Sequence, residues 1–249
     1  MTPDVNQTIR EIAINNPATV RIFETLGIDY CCGGKRPIAE ACARANVPLE
    51  TLMTALAELG PESVSPEEKA WTAAPFRDLI GHIISRHHGY VRQEGPRLEA
   101  LLDKVVNRHG TDHPELLSIR DVFLALNQEL TAHMFKEEHV LFPFLQQMEA
   151  ASRSGEPMPA ACFDSVGTPI ARMLADHDDA GELLAKIRAL SGDFQAPAGA
   201  CRSYLGLYHG LQEFERDLHM HVHLENNILF PRALEMDQML RQESAYVTH

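Results

Sequence analysis

The chain has 249 residues and 45% hydrophobic content, enough to bury a core in one or two domains. Ala, Leu and Glu dominate and β-branched runs are scarce, so the composition points to an all-α protein. A formal net charge of −13 repels nucleic acid and acidic lipid, and no stretch approaches the run of about 18 apolar residues a membrane span needs; neither nucleic acid nor a membrane is an expected partner.

The first residues, MTPDVNQTIREIAINNP, have neither the basic start nor the apolar core of a secretory signal, which points to the cytoplasm. The five cysteines are Cys31, Cys32, Cys42, Cys162 and Cys201. An odd number in a cytosolic chain does not read as a disulfide framework. Cys162 and Cys201 fall in Gly-, Pro- and Ala-rich connections and read as inert.

Residues 1–60 read as a small helical domain. NQTIREIAIN is a short helix broken by Pro17, and PATVRIFETLGI is a second, ended by Gly27. Pro37 to Asn46 and Pro48 to Leu59 are two more, each opened by its proline. Between the second and third lies DYCCGG, residues 29–34. Residues 61–74, within GPESVSPEEKAWTAAP, read as a linker. Residues 75–238 carry four long helical patterns, at about 75–108, 114–150, 164–191 and 197–238, and 239–249 is a tail. Four long helices joined by modest loops predict an antiparallel four-helix bundle.

The second and fourth of these helices share a motif. HMFKEEHVLFP (133–143) and HVHLENNILFP (221–231) both read H-x3-E-x3-L-F-P, 88 residues apart. Positions i and i+4 lie on one helical face. His133 and Glu137 belong to the stripe Leu126, Leu130, His133, Glu137, Val140, Phe144. His221 and Glu225 belong to Leu211, Phe214, Leu218, His221, Glu225, Ile228. Apolar stripes face the core, so each helix carries a histidine and a carboxylate inward. A buried carboxylate costs several kcal/mol unless it is compensated, and two of them, each beside a histidine, point to a metal.

On the third helix His177 is the lone histidine, on the stripe Ile170, Met173, Leu174, His177, Leu184. The first helix offers His87 and His88. Aligning His88 with His177 pairs Val91 with Ala180, Leu98 with Ile187 and Leu101 with Leu190. Aligning His87 instead pairs Leu98 with Arg188 and Leu101 with Ser191, so His88 is the candidate. Four histidines and two glutamates exceed a four-coordinate zinc site. They suit two carboxylate-bridged ions, with iron favoured and manganese next. His219 and His223 group with Gln212, Glu215 and Asn226 on the wet face; Asp176, Asp178 and Glu182 read as solvated surface.

In combination, DYCCGGK, RHH, HMFKEEHVLFP, ADHDDAGELL and HVHLENNILFPRAL resemble the di-iron "repair of iron centres" family, of the YtfE/ScdA/DnrN/NorA type, over roughly residues 6–236. The departures are an extra His87, His139 and His223, none of which removes a ligand. The resemblance implies a hemerythrin-like bundle holding two iron ions in an oxo- and carboxylate-bridged centre. His88, His133, His177 and His221 would be terminal ligands and Glu137 and Glu225 the bridges. It implies damaged iron–sulfur proteins as partners and repair after nitric oxide or oxidative stress as the role. Cys31 and Cys32 would then exchange electrons, nitric oxide or iron. Gly33 and Gly34 would leave both sulfurs accessible, and Lys35 and Arg36 would lower a thiol pKa. Two other functions stay open: nitric oxide or nitrite reduction at the di-iron site, and binding of O2 or nitric oxide as a carrier or sensor. The oligomeric state is not encoded in any motif.

Overall fold

A computed structural model of the chain describes residue 4 and residues 6–59, 70–156, 159–160 and 163–247. The expected linker falls largely outside these residues, as do Cys162 and His249. Among the described residues there is no strand, only one isolated antiparallel bridge between Thr8 and Pro37, so the protein is all-α.

Four short helices come first: α1 (Ile9–Asn15), α2 (Thr19–Leu26), α3 (Ile38–Arg44) and α4 (Leu49–Glu58). Their ends are written in the sequence. The Thr8 hydroxyl accepts from the Glu11 backbone N–H while the Glu11 carboxylate reaches back to the Thr8 N–H, a complete capping box. Gly27 stops α2 with a left-handed φ of 65°, a conformation that costs a side-chain-bearing residue about 1 kcal/mol. Pro37 and Pro48 stand immediately before α3 and α4.

Four long helices follow. α5 comprises Phe76–His82, a π-helical turn Ile83–His88 and Gly89–His109. α6 comprises Glu115–Lys136, a π turn Glu137–Leu141 and Phe142–Ser154. α7 is Gly167–Leu190. α8 comprises Arg202–His223, a π turn Leu224–Leu229 and Phe230–Val247. In each π turn one backbone N–H reaches five residues back: Gly89 to Ile84, Phe142 to Glu137, Phe230 to Glu225. Pro143 and Pro231 stand just after two of them. A proline lacks the N–H for an i→i−4 bond and its ring crowds the carbonyl four back, so the helix widens there.

The chain divides into two compact units, one of residues 1–79 with 219–249 and one of residues 80–218. The divisions fall inside α5 and inside α8. In the 80–218 unit, α6 packs against both α5 and α7. The α8 segment of this unit reaches all three: Phe214 meets Tyr90 and Phe123 edge to face or tilted, and Arg188 pairs with the buried Glu215. Leu98, Leu102, Ile119, Phe123, Leu126, Leu184, Leu207 and Phe214 fill its core, each contributing about 1.5–3 kcal/mol by burial. In the other unit Ile9, Phe23, Tyr30, Ile38, Leu52 and Leu229 are buried. Arg232 donates to the carbonyls of Trp71 (3.1 Å) and Ala74 (2.6 Å) and lies over the Phe76 ring.

One register differs from the sequence pattern. Val140 was expected on the inner stripe of α6, yet it is 43% exposed while Leu141 is buried. The π turn adds a residue to the winding, so the inner face slips by one position beyond Glu137.

Candidate metal centre

In the 80–218 unit three helices bring His88, His133, Glu137 and His177 together. All four are buried, Glu137 and His88 completely. One ligand atom each of His133, Glu137 and His177 lie within 4.8 Å of one another. The π turn of α5 ends at His88 and that of α6 begins at Glu137, so the backbone is widened at the point where the side chains converge.

The hydrogen bonds around the cluster set its chemistry. His88 Nδ1 lies 2.6 Å from Glu138 Oε1, and Arg92 donates to the same oxygen at 2.6 Å. His133 Nδ1 lies 3.3 Å from Asp176 Oδ2, which also receives Lys136, while Arg172 pairs with Asp176 Oδ1 at 2.9 Å. An ionised carboxylate only accepts, so both rings donate from Nδ1 and turn Nε2 inward. Burial pushes Glu138 and Asp176 up, but the histidine and cationic partners outweigh it and hold both carboxyls below their ordinary values.

The inward nitrogens meet Glu137. His133 Nε2 is 3.2 Å from Oε1 and His88 Nε2 is 3.4 Å from Oε2. His177 Nε2 is 2.9 Å from His133 Nε2. A proton on His177 serves one of these contacts and not all of them. Two or three imidazole nitrogens and a carboxylate converging at such distances make a donor set that a metal cation can occupy. Adjacent ligands of a six-coordinate ion with bonds of about 2.1 Å stand about 3 Å apart, which is the spacing of His133 and His177. The donor set therefore fits a metal cation, with Glu137 turning one oxygen to each of two histidines.

A cleft of about 210 Å3 between α6 and α7 runs down to this cluster, lined by Glu129, His133, Lys136, Arg172, Asp176 and His177 among others. His87 does not join the cluster; it is buried with Nδ1 3.1 Å from Asp217 Oδ2.

In the other unit His221 and Glu225 are both buried, with His221 Nε2 3.1 Å from Glu225 Oε1. The residues that follow hold the cysteine loop. Asn226 Nδ2 donates to the Cys31 carbonyl at 3.3 Å. Asn227 Nδ2 donates to the Tyr30 carbonyl and to His223 Nδ1, both at 2.9 Å. Tyr30 packs on His219 and His223 and donates to Glu24, which also meets His219 at 3.1 Å. A Cβ on Gly34 would stand 2.8 Å from the Tyr30 carbonyl and 2.9 Å from Asn227 Oδ1, so only glycine fits this close approach.

Several expectations are corrected. His223 and Asn226 are not on a wet face: the cysteine loop covers them, and burial pushes His223 down to about 4. Glu215 is buried against Arg188. Asp176 is not solvated surface, because it anchors His133; Asp178 and Glu182 are exposed. Cys31 is buried and only Cys32 is partly accessible. Lys35 and Arg36 do not lower the Cys31 thiol. Its contact with Cys32, its burial and the nearby Asp29 push it well up, and Arg36 is engaged by Asp29 and Glu40. Glu138 went unnoticed in the sequence. Its one available signal was its place beside a candidate ligand.

Two family models match the chain. ScdA_N, a domain of unknown function (DUF542), covers residues 5–60, and the hemerythrin HHE cation binding domain covers residues 79–233. The iron-sulfur cluster repair protein YtfE of Citrobacter koseri is 36% identical over 229 residues, covering 92% of this chain and 97% of its own length. Proteins of the same name from Salmonella paratyphi B and Salmonella newport are 36% identical over 230 residues, with the same coverage. No described helix is long and apolar enough to cross a membrane.

Proposed function

The chain belongs to the iron–sulfur cluster repair family, and from that premise we propose that it restores iron–sulfur clusters damaged by nitric oxide or oxidants. It acts in the cytoplasm on damaged iron–sulfur proteins. The ligands of two iron ions would be His88, His133, His177, His221, Glu137 and Glu225. The observation that carries this reading is Glu137, fully buried, with its two oxygens turned toward different histidines. The duplicated H-x3-E-x3-L-F-P motif supports adding His221 and Glu225, and the matched hemerythrin region runs through both copies.

Bound iron supplies a Lewis-acidic, redox-active centre that accepts a small ligand and is also the cargo that repair requires. The chain's own residues do the rest. Glu138 and Asp176 keep the Nδ1 protons of His88 and His133 in place, so both rings hold a fixed orientation with Nε2 turned inward. Burial keeps bulk water from Glu137 and strengthens its attraction for a cation. Six protein donors would leave coordination positions of two ions open, and the cleft that reaches His133 and His177 is large enough to admit a small ligand.

Elemental analysis of the purified chain is the first test. Roughly two irons per chain are expected, lost in His133→Ala. Iron passing in stoichiometric amounts to an apo-cluster acceptor supports repair. Sustained nitric oxide consumption with the iron retained assigns a reductase instead. Protein that is iron-free after iron-replete expression overturns the ligand set.

A further inference from the structure

We propose that Asp29, Cys31 and Cys32 form a second metal site, for one divalent thiophilic ion, distinct from the histidine–glutamate cluster. Under the repair reading above, on which this role rests, the ion is ferrous iron in transit. The three donors are already assembled. Cys31 Sγ and Cys32 Sγ stand 3.9 Å apart, and Cys31 Sγ is 3.5 Å from Asp29 Oδ1. One ligand atom of each residue lies within 4.8 Å of the other two. A tetrahedral ion with metal–sulfur bonds of about 2.3 Å and metal–oxygen bonds of about 2.0 Å has sulfur–sulfur edges of about 3.8 Å and sulfur–oxygen edges of about 3.5 Å. The Cys31–Cys32 and Cys31–Asp29 separations match two edges of that tetrahedron, and the third lies within 4.8 Å.

The surroundings hold the donors in place. Asp29 Oδ1 accepts the Cys32 backbone N–H at 2.9 Å, while Oδ2 faces Arg36 at 3.4 Å. That leaves the Oδ1 side turned to the sulfurs. The carbonyls of Tyr30 and Cys31 are pinned by Asn227 and Asn226, so the backbone that carries both thiols is tied to a helix. Asp29 is exposed and Cys32 partly so, which gives the fourth position to solvent or an acceptor's ligand. A site with three protein donors and an open corner suits an ion that must leave again. Binding displaces the thiol protons to solvent and changes no oxidation state.

The test is a Co2+ titration of the reduced, iron-loaded full chain, read at the thiolate-to-cobalt charge-transfer absorption, which histidine and carboxylate ligands do not produce. One thiolate-bound cobalt per chain is expected. The band disappears in Cys31→Ser/Cys32→Ser. Asp29→Asn, which keeps an acceptor for the Cys32 N–H, weakens binding roughly 10–100-fold, at least the effect of losing an outer-sphere partner. Should the double variant lose its helical signal, Cys32→Ser alone, at the partly exposed sulfur, carries the test. His133→Ala keeps the band at full strength, so failure of the di-iron reading and failure of this one are separable. No thiolate band at excess cobalt, or a band that Asp29→Asn leaves unchanged, overturns the site.

Discussion

Asp176 takes three cationic or protic partners at once: Lys136, Arg172 and the Nδ1–H of His133. Its neighbour Asp178 is exposed. The difference is one of facing, and it makes a matched pair for experiment. Asp176→Asn is expected to leave helicity intact and to speed iron loss to a chelator, with affinity down roughly 10–100-fold; Asp178→Asn should change nothing. Equal behaviour of the two variants would remove Asp176 from the centre. Gly34 is a second residue whose role is spatial. A methyl group there meets the Tyr30 carbonyl and Asn227, and neither the carbonyl nor the pinned amide can yield freely. Gly34→Ala should cost about 1–3 kcal/mol and raise amide exchange over residues 29–36, while exchange in the 80–218 unit stays as it was.

Among the elements, α6 and α8 owe their ligand turns to the prolines that follow. Pro143 cannot bond back to His139, and the helix answers with the π turn that starts at Glu137. The slip of the inner face from Val140 to Leu141 has the same origin. Pro143→Ala restores the missing N–H and lets the turn rewind toward regular α geometry. The expected result is unchanged or higher helical content with iron retention reduced several-fold. Unchanged retention would mean that tertiary packing alone holds the turn. The π turn of α5 has no such proline, only Gly89 after it, and nothing local in the sequence announces it.

For the whole molecule, a metal bound only by the native state adds its binding free energy to stability. At a free-ion level of about 1,000 times Kd this is about 4 kcal/mol, and for a chain of this size it shifts the melting temperature by roughly 10 °C. Stripping the iron should lower Tm by that order in calorimetry, and a Tm indifferent to chelation would show that the centre is not coupled to folding. The full burial of His88 and Glu137 within the cluster is the reason to expect the coupling, because a donor set of this kind forms only in the native state.

The sequence by itself determined the all-α class, the short N-terminal helices with their caps, and the four long helices. It also singled out the histidines and glutamates that lie on apolar stripes. These follow from local rules: helical period, capping chemistry and a motif repeated at one spacing. The preference for His88 over His87 rests on the same kind of rule, because one register keeps a face apolar, and in the structure His88 lies in the cluster while His87 meets Asp217. Only the tertiary structure decided which surface groups are surface at all. Glu138 and Asp176 look like solvated acids until packing brings Glu138 of α6 to His88 of α5 and Asp176 of α7 to His133 of α6. His223 and Asn226 look wet until the cysteine loop lies on them. The Cys31 thiol, read as activated by its basic neighbours, is instead buried beside Asp29 and Cys32. In each case the deciding partner lies far away in the chain or turns its charge elsewhere, and periodicity carries no information about distant partners.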